Sequence, residues 1–178
     1  MRSSTKPAEA APALWEETYA TRFGVGRLLL AGDLPVEHDL PDAARAELGG
    51  APPSRWARAL EAYFAGERVT FDLDVGGWAE AAGCTTFETA VYEALAAVPY
   101  GEAVSYRDLA VLAGHPNAYR AVGSTMARNP LPVLLPCHRV IRSDGHLGQY
   151  GDDPAWKVRL LELEGAGVED ARLARSGR

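Results

Sequence analysis

Thr85 with Glu88, and Ser105 with Asp108, each place a hydroxyl three residues ahead of a carboxylate, just before an apolar run. This is the capping-box pattern, in which the two side chains satisfy the first free N–H groups of a helix. The first box predicts a helix whose buried stripe is Phe87, Val91, Leu95 and Val98. The second opens a short helix through Leu109 and Leu112 that Gly114 closes. Pro116 then suits the first turn of a further helix carrying Ala118, Arg120, Val122 and Met126. Two short helices joined by a Gly-containing turn fit a helix-turn-helix, a pattern that many helical hairpins share.

The rest of the chain divides around this helical part. Residues 1–12 read as a flexible N-terminus and residues 167–178 as a flexible tail. Between them, residues 13–82 form a small N-terminal α/β domain and residues 83–166 a mainly helical one. From Ala20 to Leu40 the pattern is strand-like, centred on Leu28, Leu29 and Leu30 and punctuated by Gly24, Gly26 and Gly32. Ser54 caps a helix on which Trp56, Leu60 and Phe64 share a face, and Gly66 ends it. Val69 to Val75 alternates apolar and polar residues as a half-buried strand does, and Gly76 to Gly83 reads as a linker. Beyond residue 142, Ser143-Asp144-Gly145 is a turn, Gly148 to Gly151 a glycine-flanked loop, and Asp153 or Pro154 to Glu164 a final helix stopped by Gly165.

Composition narrows the chemistry. With 178 residues, 47% of them hydrophobic, the chain can bury a real core. No apolar run is long enough to cross a bilayer, and the N-terminus lacks a signal-peptide centre, so a cytoplasmic location is expected. Cys84 and Cys137 make no disulfide framework, and with His38, His115, His138 and His146 they make no zinc-like spacing. No metal is expected. The net charge of −6 argues against nucleic acid, yet no acidic residue lies between Asp108 and Asp144, where Arg120, Arg128, Arg139 and Arg142 fall. Such a cationic strip would bind DNA in a salt-sensitive way; chance clustering on a solvated face gives the same pattern.

The strip contains Pro136-Cys137-His138-Arg139. Val133-Leu134-Leu135 reads as a short buried strand whose ladder Pro136 stops, leaving Cys137 where the chain leaves the core. A thiolate is a strong soft nucleophile, and a neighbouring imidazole makes it reactive near neutral pH. A lone cysteine in apolar company is otherwise a small buried hydrophobe.

Val98-Pro99-Tyr100-Gly101-Glu102, Ser105-Tyr106, Leu109-Ala110, Arg120-Ala121-Val122-Gly123, Asn129-Pro130, Pro136-Cys137-His138-Arg139 and Leu161 through Gly165 resemble the O6-alkylguanine-DNA alkyltransferases, in order and in spacing. Upstream, Tyr63 to Gly66 and Phe71-Asp72-Leu73 look like that family's N-terminal domain. The resemblance implies an α+β fold: a small RNase H-like α/β domain with an antiparallel sheet, then a helical, winged helix-turn-helix domain. It implies direct-reversal DNA repair, in which an alkyl group passes irreversibly from O6 of guanine in double-stranded DNA to Cys137. Each molecule, a monomer, would act once and without a cofactor.

The resemblance also assigns roles. His138 is the base for Cys137, through a water, and Glu164 orients and charges His138. An acid at a helix C-terminus opposes the macrodipole, so Glu164 needs another reason to be there. Tyr106 helps rotate the target nucleotide and bonds the departing base, and Arg120 fills the gap in the duplex. Asn129 ties the recognition helix to the active-site segment. Met126, the carbonyl of Val140 and the loop Leu147, Gly148, Gln149, Tyr150 and Gly151 line the guanine pocket. Arg107, His115 and Ser143 stand at DNA-backbone positions. Three places depart from the pattern: Tyr119 replaces a small residue at the DNA, Glu88 sits near a DNA contact, and Asp152-Asp153 adds charge beside the pocket. Three rival readings differ in Cys137. An alkyltransferase-like lesion sensor lacks that cysteine, a helix-turn-helix regulator leaves it idle, and a thiol hydrolase needs an oxyanion-hole glycine cluster that is absent beside it.

Overall fold

The computed structural model describes residues 12–49, 52–151 and 153–173. The expected N-terminal flexibility falls on residues that lie, apart from Pro12, outside this set, as do Asp152 and the last five residues.

The strand-like segment is three strands: β1 (Leu14–Thr21), β2 (Gly24–Ala31) and β3 (Leu34–Asp42) in an antiparallel sheet of order β1-β2-β3. Leu28 and Leu30 of β2 face inward, as the two-residue period requires. Helix α1 (Arg55–Phe64) packs on β1. Its cap Ser54 accepts from the N–H groups of Trp56 and Ala57, each at 3.1 Å, and donates its hydroxyl to Glu17 of β1. Glu17 also accepts from Ser54 N at 2.9 Å, so a buried carboxylate of the sheet sits at a helix N-terminus, where the dipole favours it.

Two expectations for the middle of the chain fail. Residues 69–75 form no strand; Val69, Phe71 and Leu73 are half-buried against the core but pair with no sheet. Their alternation records one-sided burial of an extended chain, which needs no ladder. The glycine-rich linker is instead helix α2 (Val75–Ala81), capped by Asp74. Trp78 packs edge-on against Tyr92 at 5.3 Å, and this burial outweighs the weak helix propensity of Gly76 and Gly77. Tyr92 belongs to α3 (Thr86–Ala96), whose Thr85/Glu88 capping box is complete.

The helix-turn-helix is α4 (Tyr106–Leu112) packed against α5 (Tyr119–Ala127). Ser105 caps α4 through the Asp108 N–H. Pro116 lies in the turn before α5 rather than in its first turn, because its fixed φ suits a turn equally well. Val133 to Leu135 is buried as expected but is a turn, with Val133 at φ 75° and no partner strand beside it. Cys137–Arg139 form one 3-10 turn, followed by β5 (Val140–Ile141), which pairs in parallel with β4 (Val104–Ser105). Helix α6 (Ala155–Leu163) ends at Glu164, and Gly165 follows at φ 88°. Beyond it, residues read as loose tail form the hairpin β6 (Val168–Glu169) and β7 (Arg172–Leu173).

Candidate active site

Cys137 is placed by three elements. The β4–β5 pair sets Val104 beside Val140 and Ser105 beside Ile141, which brings Tyr106, the first residue of α4, to the Cys-His-Arg turn. Asn129, just past α5, donates Nδ2 to the Leu135 carbonyl at 2.8 Å and accepts from Leu131 N at 3.0 Å. That amide clamps the turn that delivers Cys137. Helix α6 adds Trp156 and Lys157 beside it.

Behind the thiol, Glu164 is a hub for hydrogen bonds. His138 Nε2 lies 2.8 Å from Oε1, and the Tyr63 hydroxyl donates to the same oxygen at 2.8 Å. Arg139 donates from Nη2 to Oε1 at 2.8 Å and from Nε to Oε2 at 2.9 Å, and Gly101 N donates to Oε2 at 3.0 Å. Gly101 has φ 79°, and a Cβ there would come within 3.0 Å of the Glu164 backbone oxygen, so the amide reaches the carboxylate only as glycine. Burial alone would raise the Glu164 pKa; the bonds from His138 and Arg139 outweigh it and hold the carboxyl well below the usual range. Burial lowers the His138 pKa against the pull of Glu164, so the pair rests as neutral imidazole and carboxylate. With Nε2–H turned to Glu164, Nδ1 is the basic nitrogen, and it is buried with no side-chain or backbone partner among the described residues.

In front of the thiol is a cavity of about 840 Å³. Its wall includes Met126, Gly148, Gln149, Tyr150 and Gly151, which were expected to line it, together with Tyr106, Asn129 and Cys137. Val140 and Leu147 are not on the wall: the Val140 carbonyl accepts from Lys157 Nζ at 2.5 Å, and Leu147 is buried beneath its loop. Cys137 is only 7% exposed. Burial raises its pKa, while Asn129, Tyr150 and the charge of Lys157 pull it down. Its Sγ is 3.7 Å from the Tyr150 hydroxyl. The resting group is a shielded thiol.

Lys157, Tyr63 and Arg139 were not singled out from the sequence as site residues. Lys157 is 1% exposed, and burial lowers its pKa to about 8. Its signal was present, since a lysine shares the buried face of α6 with Leu160, Leu161 and Glu164. Tyr63 left none, because an aromatic on the inner face of α1 reads as plain core.

Arg107, His115, Tyr119, Arg120 and Ser143 are exposed and stand apart from the buried triad. The Tyr119 ring lies 5.9 Å from the Arg107 guanidinium and 5.7 Å from that of Arg120. The expected cationic strip is broken up: Arg139 is buried on Glu164, Arg128 pairs with Glu88 at 2.9 Å, and Arg142 with Asp144 at 3.4 Å. Glu88 is thereby tied to Thr85 and Arg128.

Residues 86–166, which hold this whole cysteine-histidine-glutamate centre, match the family model of the 6-O-methylguanine DNA methyltransferase DNA-binding domain. A methylated-DNA–protein-cysteine methyltransferase of Methanosarcina acetivorans is 37% identical over 155 residues, covering 80% of this chain and 94% of that protein. The chain belongs to this methyltransferase family. The relative of the same name from Methanosarcina barkeri is 47% identical over 108 residues, 61% of this chain, and the match spans 65% of its length. Among solved structures, Mycobacterium tuberculosis OGT in complex with DNA superposes with a TM-score of 0.67 at 34% identity, over 84% of this chain and 91% of that one. Family and fold class, an antiparallel sheet followed by a helical half, therefore agree with the resemblance read from the sequence.

Proposed function

We propose that this methyltransferase-family chain repairs double-stranded DNA by moving the alkyl group of O6-alkylguanine irreversibly onto Cys137, once per molecule. The observation that carries the reading is a shielded thiol on a cavity of about 840 Å³, ample for a nucleobase, backed by a buried His138–Glu164 pair. His138 Nδ1 takes the thiol proton, with a water as carrier. The Sγ–carbon bond forms as the carbon–O6 bond breaks, the electron pair leaves on guanine, and guanine takes the Tyr106 hydroxyl proton, which the proton held on His138 replaces through solvent. Atoms balance without a further reactant. Asn129 holds the turn in register, and Lys157 stabilises the thiolate. Met126 and the loop Gly148 to Gly151 hold the base in the cavity. Reaching the cavity requires the nucleotide to leave the stack, at a few kcal/mol, and Arg120 inserted in the duplex offsets part of this. Arg107, His115, Tyr119 and Ser143 meet the DNA around it. A reducing compartment, the cytoplasm, keeps Cys137 a thiol.

The test is the intact mass of the protein after incubation with duplex DNA carrying O6-methylguanine, followed by peptide mapping. A gain of one methyl group on the Cys137 peptide, absent in Cys137→Ala, is expected. Lesion binding without any gain would place the chain among non-enzymatic sensors.

A further inference from the structure

Strand β3 is bonded to the segment that follows Asn129. His38 N donates to the Pro130 carbonyl at 2.9 Å, and His38 Nδ1 to the Pro132 carbonyl at 2.5 Å. A carbonyl only accepts, so Nδ1 carries the proton and Nε2 accepts from the Tyr19 hydroxyl, also at 2.5 Å. Both rings are buried, His38 at 3% and Tyr19 at 2% exposed.

The sheet is shaped around this contact. Tyr19 is in β1 and His38 in β3, with β2 between them; Tyr19 pairs with Gly26, and Leu28 with His38. The Tyr19 ring reaches across β2 over Gly26, where a Cβ would come within 2.1 Å of a ring carbon. Any side chain at Gly26 would push the ring off His38. Phe64 of α1 stacks on the same ring, with centroids 6.0 Å apart.

What the contact holds is a wall of the cavity. Pro132 lines it, and so does Leu40, two residues beyond His38 in the same strand. The segment from Asn129 to Pro136 contains no helix or paired strand. Its backbone is fixed by the Asn129 amide at one side and by His38 at the other. Val133, next to Pro132, sits at φ 75°, a conformation that a β-branched residue keeps only when its surroundings impose it.

We infer that His38 is a positioning residue for the transfer reaction: by holding the Pro132 carbonyl it sets the cavity wall beside Cys137, and with it the size of alkyl group accepted. This rests on the alkyl-transfer reading above. A methyl group leaves such a wall almost unused, whereas a benzyl group must fit against it. Size selectivity is the property His38 governs.

The experiment compares transfer rates to Cys137 from duplexes carrying O6-methylguanine and O6-benzylguanine, in wild type, His38→Ala, His38→Asn and His38→Gln. The Asn amide nitrogen stands near the Nδ1 position and can still donate to Pro132; the Gln amide lies one bond further out. The benzyl-to-methyl rate ratio is expected to change at least tenfold in His38→Ala and to return to within threefold of wild type in His38→Asn. A merely structural role would lower both rates together in step with melting temperature, and that result overturns the proposal. If His38→Ala does not fold, the Asn and Gln variants carry the same comparison, and equal ratios in those two overturn it. Wild-type protein that transfers neither group overturns the transfer reading itself; wild-type transfer with an unchanged ratio in His38→Ala overturns only the role of His38.

Discussion

The Tyr63 hydroxyl donates to Glu164 Oε1 at 2.8 Å, across 101 positions of sequence, so the N-terminal half completes the hydrogen bonding of the site in the C-terminal half. The same hydroxyl lies 3.4 Å from His138 Nε2, and burial with the nearby Glu164 charge raises its pKa far beyond neutrality. It is a permanent donor. Tyr63→Phe is expected to lower stability by about 1.5–3 kcal/mol, as for other bonds to charged groups. Denaturant unfolding of the two proteins measures this, and an unchanged midpoint would show that the bond contributes nothing.

Glu164→Gln keeps the shape of the side chain but leaves the Arg139 guanidinium, buried against it, without its counter-charge. Breaking a buried pair from one side destabilises by about 3–5 kcal/mol. A protein of this size should then melt about 6–20 °C lower. Transfer should also fall sharply, since His138 loses the anion that balances its proton. Calorimetry and single-turnover kinetics on the same preparation separate the two effects.

Lys157 carries opposite consequences for stability and activity. Its folded pKa, lowered by burial to about 8, means the charged amine is held at a cost at pH 7. Lys157→Met removes that cost, and stability should be unchanged or higher even though the Val140 carbonyl loses its donor. Cys137 loses a neighbouring positive charge, so its alkylation by iodoacetamide at pH 7 should slow roughly tenfold. A faster-reacting thiol in the variant would contradict this role for Lys157.

Acid should weaken the fold through the buried His38. Burial, the largest influence, lowers the His38 pKa to about 4 from the ordinary 6.5; the Pro132 carbonyl and Asp39 oppose the shift, and Arg45 adds to it. The unfolded chain therefore binds more protons between pH 6.5 and 4. Stability is full above pH 6.5 and falls as pH drops through that window, by roughly 3 kcal/mol over the whole of it and about 2 by pH 5. His138, also lowered, acts in the same direction. His38→Asn should remove about 2 kcal/mol of the loss between pH 7 and pH 5, read from denaturation midpoints at the two pH values.

Arg120, exposed at the start of α5, makes no ion pair among the described residues. Arg120→Ala should slow transfer from duplex DNA by roughly tenfold or more while sparing transfer from free O6-benzylguanine base, because only the duplex must be opened. Equal losses on both substrates would rule out a role in base flipping.

Much of the local structure was legible in the sequence because its determinants are local. A hydroxyl three residues before a carboxylate opens a helix wherever it stands, and Thr85/Glu88 and Ser105/Asp108 do so here. The Cys137–His138 adjacency is itself local, and Glu164 at the end of α6 could be matched to them by resemblance. Gly76 and Gly77 misled because the burial of Trp78 against Tyr92, which holds α2 together, lies in another helix. Val69 to Val75 misled in the opposite sense, since alternation reports burial and a strand also needs a partner. The bonds from Tyr63 to Glu164 and from His38 to Pro132 join residues 101 and 94 positions apart. No spacing rule reaches that far. Only packing the sheet and α1 against the C-terminal half brings those polar groups together, where burial away from water makes each of them require its partner.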